Sequence, residues 1–468
     1  MALRLQQARV GSMDDVTAVL DIGKTNVKVA AFRCDGALMW ERAITNRMVP
    51  GPPYPHADVE RIWEFLLDAL ADANRISPIA AIVPTTHGCA AALIDEAGLV
   101  LPVMDYEFAG VEEIEPLYAP LRPPFSETYS PALPAGQNIA RQLAWQQHHF
   151  AESFARAKYL LAYPQYWAWR LSNVAAAEVT SLGAHSDLWE PLQGRFSSAV
   201  SALNVSGLMP PLHRAYRRLA PIKPDIAAAT GLRRDVDVLC GVHDSNASLL
   251  PHLGSRREPF TLLSTGTWVI LMSPGLSLDG LDPGDDTLAN VDVDGRPVAT
   301  GRFMGGREHA AVAGSDGNPD PASLSRVIAS GAMALPSFAG RGGGGPFASY
   351  RGEIRGEIAP ADRPALATLY VALMSDLMLT RLGATHGALI VEGSFAANPC
   401  YAMLVAALRP TQPVFASTDA AGTARGAALL AKWPAMNLQA PPLAAVQAHA
   451  VAGLPAYRDK WARAVLDR

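Results

Sequence analysis

The sequence predicts an α/β protein made of two related halves, and three observations carry that expectation. Apolar β-branched runs alternate along the chain with segments of helical period. A strand, glycine turn, strand unit near the start recurs in the second half, each copy followed by helices. At 468 residues the chain also exceeds what one simple core organises.

Taken in order, VTAVL at 16–20 enters the polar turn DIGKTN, and VKVAAF at 27–32 leaves it toward the Asp35-Gly36 turn. With Asp58 as cap, Val59, Ile62, Trp63, Leu66 and Leu70 recur at helical spacing over 58–74. AAIV at 80–83 returns to strand, and Asp95 to Gly98 turn ahead of LVLPV. In the second half PFTLL at 259–263 enters STGT and WVILM at 268–272 leaves it. Leu366, Leu369, Tyr370, Leu373, Met374 and Leu377 mark a helix, ALIV at 388–391 a strand, and Pro399 the first turn of another helix. PGPPYP at 50–55 and GRGGGGPF at 340–347 interrupt as loops; the second lacks both a leading strand and a G-K-[ST] ending, so it is a surface loop and not a phosphate loop. The expected divisions are an extension at 1–15, a first domain at 16–236, a second at 237–455 and a tail at 456–468.

Composition narrows the class. Hydrophobic residues at 49% with 18% charged describe a packed globular chain, and a net charge of −5 supplies no basic face for nucleic acid. The four cysteines have no C-x-x-C spacing, which points to free thiols in a reducing cytoplasm. The first fifteen residues contain no apolar signal core, and ALATLYVALM at 365–374 is too short to span a bilayer, so no membrane role is expected.

Chemistry concentrates in a few stretches. GVHDSNASLL at 241–250 sets His243 beside Asp244 at the end of an apolar strand, where an unpaired charge costs on the order of several kcal/mol unless something uses it. An Asp there also serves as an ordinary helix N-cap. In DIGKTNVK the turn amides can hold phosphate oxygens, Thr25 and Lys28 add donors, and Asp21 can orient hydrated Mg²⁺; a plain hairpin is the alternative. STGT repeats the arrangement, and two such turns across a cleft grip a nucleotide's phosphates from both sides. VEGSFAANPC at 391–400 ends a strand in a glycine turn before a helix N-terminus, which favours polar or anionic groups. His148-His149 falls on a solvated helix face without further metal ligands, and no G-x-S-x-G elbow occurs.

In this order, DIGKTNVK, THGCAAALIDEAGLVLP, YPQYWAWRLSN, GVHDSNASLL, STGTWVI and EGSFAANPCYAMLVAAL resemble the FGGY carbohydrate kinases, over about residues 16–433. The resemblance implies two ribonuclease-H-like α/β domains of the actin-like ATPase superfamily, with ATP and sugar in the cleft between them. It implies Asp244 as general base and Asp21 near Mg²⁺, through water. Thr25 and Lys28 match the first phosphate turn, and Thr265, Gly266 and Thr267 the second. Gly393, Ser394 and Asn398 match the segment that contacts adenosine, and His87 and Gly88 the sugar side. Asp105 stands in PVMDYEF, where the family commonly has a Trp and an Arg; here the Arg is missing. Ala397 likewise replaces the lysine of the family's S-K-N-P, and no role is assigned to Arg307, Glu308 or His309 after their glycine pair.

The His243-Asp244 pair resembles that of the rhamnulose and fuculose kinases, whose histidine contacts sugar, with a structural histidine as the alternative. The function implied is ATP- and Mg²⁺-dependent phosphorylation of a ketose, a 6-deoxyketohexulose at its C1 hydroxyl. The alternatives are another ketose or polyol such as ribulose or xylulose, a non-catalytic binding protein on the same fold, and an actin-like or chaperone-like ATPase. The expected partner is a small-molecule sugar, and the expected assembly a homodimer.

Overall fold

Buried β-branched strands and polar turns organise the chain into two mixed sheets, each of seven strands among the described residues. The computed structural model describes residues 16–315, 317–340, 344–417, 422–434 and 441–468. The expected extension at 1–15 lies outside them.

The first sheet is built from β1 (Val16–Ile22), β2 (Asn26–Arg33), β3 (Leu38–Thr45), β4 (Ile79–Thr86), β5 (Arg218–Pro221), β6 (Asp237–Leu239) and β7 (Val242–His243). Its order is β5-β6-β4-β1-β2-β3, with β7 pairing the far end of β4. β1 runs antiparallel to β2 and parallel to β4. Helix α1 (Val59–Ile76) covers one face, and Asp58 caps it by accepting from the Arg61 N–H. Alternation along β1 sends Ala18, Leu20 and Ile22 toward α1 and Val19 to the opposite face, so the strand reads as a continuous apolar run. Tyr163–Ser172 forms α2, which packs Tyr163 and Trp167 on the α1 side. Between β4 and β5 an elaboration with its own core around Tyr118, Trp145 and Trp189 brings Asp105, Gln137 and His185 to the sheet's carboxyl edge.

Helix α3 (Asp244–Ser255) leads to the second sheet, made of β8 (Phe260–Thr265), β9 (Val269–Pro274), β10 (Thr287–Val291), β11 (Pro297–Phe303), β12 (Ala388–Gly393), β13 (Val414–Ser417) and β14 (Leu443–Val446). The order is β10-β11-β9-β8-β12-β13-β14. β8 is antiparallel to β9 and parallel to β12, and β12 is parallel to β13, as β1, β2, β4 and β6 are in the first sheet. Helices α4 (Gly305–Ala313), α5 (Arg363–Arg381) and α6 (Pro399–Leu408) follow, α5 at the centre of the largest core.

Two helices join the halves. α3 sends Leu250 into the core of the first sheet and Leu249 into that of the second, each fully buried and worth roughly 1.5–3 kcal/mol. Beside it lies α7 (Gly422–Leu429), and a Cβ on Gly426 would overlap the Ala247 carbonyl, so the two backbones touch.

Two expected limits move. The 236/237 boundary falls inside the first sheet, because β6 and β7 pair with β4; the sheets change over along α3. The polar stretch before β6 is an exposed turn held by an Arg233–Asp235 pair at 2.9 Å. Residues 456–468 are no tail either: Leu454–Leu466 forms α8, burying Tyr457, Trp461 and Val465 against the second core, with Trp461 Nε1 donating to the Ala334 carbonyl at 2.8 Å.

Candidate active site

The carboxyl ends of both sheets open on one cleft, with a cavity of about 720 Å³ between them. It extends into a lobe of about 150 Å³ beside Glu392, Gly393 and Thr423, and into an inner lobe of about 120 Å³ beneath His87 and Asp244.

On the first side, the turn after β1 is tied by a Gly23 N–H to Asn26 carbonyl bond of 2.9 Å. Asn46 braces it, donating its amide to the Gly23 carbonyl and its N–H to that of Thr25. Antiparallel register sets Lys28 opposite Asp21, and Lys28 also lies 3.3 Å from Glu41. Burial pushes the Asp21 carboxyl up to about 7, the negative charge of Asp244 adds to this, and Lys28 opposes it. Both carboxylates line one cavity with Lys24 and Lys28.

Parallel pairing of His243 with Thr86 places β7 beside the end of β4, so Asp244 emerges next to the His87-Gly88 turn. Asp244 is the first residue of α3; the cap position belongs to His243, whose side chain makes no capping bond. Asp244 Oδ1 accepts from its neighbour's N–H, Ser245, at 2.6 Å and lies 3.2 Å from His243 Nε2. Asp244 Oδ2 has no partner among the described residues, and the side chain is 30% exposed. The Asn246 amide, aligned by Asn290 Oδ1 at 3.0 Å, donates to His243 Nδ1 and so puts the ring proton on Nε2, facing Asp244. Burial holds the His243 imidazole below its ordinary pKa. Gly88 makes room for the ring: a Cβ there would come 2.8 Å from Nε2. Burial also lowers the pKa of His87, whose ring packs between Tyr106 and Tyr163.

The turns of the second side carry hydroxyls and main-chain amides. Thr265 Oγ1 donates to the Glu392 carbonyl and accepts the Phe395 N–H at 2.9 Å, locking the end of β8 to the turn after β12. Gly393 has φ +82°, and a Cβ there would overlap the Thr265 carbonyl. Gly266 closes its hairpin through Trp268 at 2.8 Å. Among the described residues no cluster of three acidic, His or Cys side chains is built to hold a metal. Asp21 at the cleft floor fits a cation held through water and phosphate instead.

Known proteins share this arrangement. Residues 16–251 match the model of the FGGY family of carbohydrate kinases, N-terminal domain, and residues 257–440 that of the carbohydrate kinase FGGY C-terminal domain. The chain belongs to the FGGY family of carbohydrate kinases. A carbohydrate kinase from Novosphingobium aromaticivorans is 35% identical over 97% of this chain and 99% of its own, with a TM-score of 0.85. Gluconate kinase from Lactobacillus acidophilus (14% identity, 96% of each chain, TM-score 0.78) and Plasmodium falciparum glycerol kinase with ADP (13%, 98% and 99%, 0.76) share the fold. No curated protein matches the chain.

This FGGY kinase is a sugar kinase that uses ATP, and its cleft gathers most residues singled out from the sequence. Asp21, Thr25, Lys28, His87, Asp244 and the turn from Thr265 to Thr267 line the main cavity. Gly393 lines the second lobe, and Gly88 and His243 the inner one. Asp105 is tied to Lys24. Ser394 and Asn398 stand apart: Ser394 starts a short 3₁₀ turn, and Asn398 caps α6, accepting from Cys400 and Tyr401 while its amide reaches Thr368. Glu308 is structural, holding the Tyr370 hydroxyl and the Phe338 N–H, and His309 meets Thr368.

Two arginines of the cleft receive no role from the sequence. Arg302 is buried in β11, with Nε 3.0 Å from Asp286, Nη2 3.1 Å from Gln137, and its guanidinium over the Trp268 ring. Arg307 reaches across the cleft to Glu107 at 3.0 Å. Only the interruption of an apolar strand by Arg302 was available to find the first.

Proposed function

We propose that this kinase transfers the γ-phosphoryl group of ATP to a ketose, a 6-deoxyketohexulose of the rhamnulose or fuculose kind, at its C1 hydroxyl. The observation that carries the proposal is the Asp244 carboxylate: Oδ1 is held by Ser245 and His243 while Oδ2 takes no protein partner at the mouth of the inner lobe. Such a carboxylate takes the hydroxyl proton as the oxygen attacks phosphorus, a contribution of about 10²–10⁴-fold. His243 orients the base, and His87 presents its ring edge to the inner lobe that would take the sugar.

The inner lobe combines these groups with Trp268, Ile270 and Leu288, which suits a sugar polar along most of its length and deoxygenated at one end. Glycine turns on both sides suit the phosphates, with amides of the Gly23 and Gly266 turns as donors. Asp21 would hold Mg²⁺ through water, and the ion would supply charge neutralisation of the phosphate chain. Binding of both substrates draws the halves together and excludes water.

The test offers purified protein ATP, Mg²⁺ and a panel of ketoses, polyols and aldoses, following ADP release. The highest kcat/KM is expected for a 6-deoxyketohexulose. A higher value for a pentulose, a polyol or a sugar acid overturns the substrate, and no sugar-dependent ADP formation overturns the reaction.

A further inference from the structure

Lys24 belongs to the first glycine turn, yet its side chain runs inward. Its ammonium pairs with the Asp105 carboxylate and sits 4.7 Å from the centre of the Tyr106 ring. Tyr106 in turn packs on His87, with ring centres 5.4 Å apart. The lysine's charge is felt at the His87 ring and at the Cys89 thiol of the inner lobe, and so is that of Asp244. Lys24 therefore stands between the turn suited to phosphates and the pocket suited to sugar.

Other cations of the cleft have separate work. Lys28 faces Asp21 and Glu41, Arg307 meets Glu107 at the rim, and Arg302 is neutralised by Asp286 inside the second half. Transfer to a hydroxyl at Asp244 must carry the phosphoryl oxygens past two carboxylates, Asp21 and Asp244. A cation there lowers the barrier; Lys28 faces Asp21, and Lys24 lines the same cavity on the sugar side, beside His87 and Tyr106.

We propose that Lys24 is a catalytic cation that exchanges partners. Asp105 holds it before substrates bind; a sugar hydroxyl then takes over Asp105, and the ammonium turns to the transferring phosphoryl group. The inference rests on the kinase reading with Asp244 as base. The sugar oxygen forms its bond to the γ-phosphorus, the bond to the β–γ bridging oxygen breaks, and its electron pair leaves with ADP. The hydroxyl proton goes to Asp244, and Lys24 supplies charge alone. Sugar binding thereby prepares the cleft for transfer, and Asp105 restrains the lysine until then.

The full chain tests this with the best sugar of the panel, wild type alongside Lys24→Met, Lys24→Arg and Asp105→Asn. Lys24→Met should lower kcat by about 10²–10³-fold while sugar affinity, measured by calorimetry, stays within about threefold. Lys24→Arg should recover part of kcat. Asp105→Asn should raise the sugar KM by about tenfold and increase ATP hydrolysis without sugar relative to wild type. A Lys24→Met kcat within threefold of wild type overturns the proposal, as does a loss confined to sugar KM or an Asp105→Asn variant whose sugar-free hydrolysis does not rise. Melting temperatures of the variants identify any loss that is only misfolding, in which case Lys24→Arg decides. Wild-type turnover lost in Asp244→Asn shows that the kinase reading stands even where the Lys24 result goes against the proposal.

Discussion

The two halves share a strand order and a pairing pattern, yet their turns carry opposite chemistry. In the first, the ends of β1, β4 and β7 present Asp21, Lys24, His87 and Asp244. At the ends of β8 and β12 in the second stand Ser264, Thr265, Gly266 and Gly393, beside Glu392. The strand-end turns of one half carry ionisable side chains, while those of the other carry hydroxyls and main-chain amides, its Arg302, Arg307 and Glu392 standing in side-chain pairs beside them. A common scaffold can thus carry different chemistry on its two sides, because the sheet's hydrogen bonding fixes positions and leaves side chains free to differ.

The sharpest way to break this contrast is Asp244→Asn. Turnover should fall by about 10³-fold while sugar binding, read by calorimetry, changes by only several-fold. Unchanged turnover would remove the proton-moving role from the first half. Next in size, Gly393→Ala should destabilise the second half by about 2–4 kcal/mol in denaturant unfolding, since its φ and the Thr265 carbonyl both exclude a side chain. The matching residue of the first half, Thr86, lies in ordinary extended strand and should tolerate alanine better. Equal tolerance at the two sites would mean that backbone closeness does not distinguish them.

Glu178 extends the comparison below the site. Its carboxylate accepts from the Thr180 hydroxyl and N–H and from the Ser181 N–H, and Thr180 Oγ1 accepts the His243 N–H at 3.1 Å. Burial pushes Glu178 up to about 7 against those hydrogen bonds. A carboxyl raised by folding stabilises the native state below its ordinary pKa near 4.5, and that contribution is lost as pH rises through about 7. Wild type should lose on the order of 1–3 kcal/mol from this group over that window, and Glu178→Gln should flatten the slope in unfolding titrations. The smallest effect is expected at the rim. Breaking the half-exposed Arg307–Glu107 pair with Glu107→Gln should change kcat/KM for ATP by no more than about threefold, and less at high salt.

How much of this was legible in the sequence follows from distance along the chain. DIGKTN, STGT and GVHD combine strand, turn and reactive residue within a few positions, so their placement at the cleft could be read locally. Asn398 was legible as well, but its position before Pro399 at a helix start is the pattern of a cap, and the cap is what the structure contains. The Arg302–Gln137 contact joins residues brought together only when the halves meet, and no periodicity encodes it. The direction of Lys24 was hidden for the same reason: a turn residue has two faces, and Asp105 alone reveals which one is used. The 236/237 limit failed because β6 and β7 join the first sheet through pairing with β4, a contact between residues far apart in the chain.

The close crossing of α3 and α7 has a mechanical consequence. Where a single methyl on Gly426 would strike the Ala247 carbonyl, the gap between the halves is set by main-chain atoms, whose size no substitution alters. Ser248 and Thr423, bonded at 2.7 Å near the same crossing, line the cavity floor. Asp21, Thr265 and Asp244 line that same cavity, so the candidate site sits against the stretch of the joint where main-chain atoms of the two helices meet.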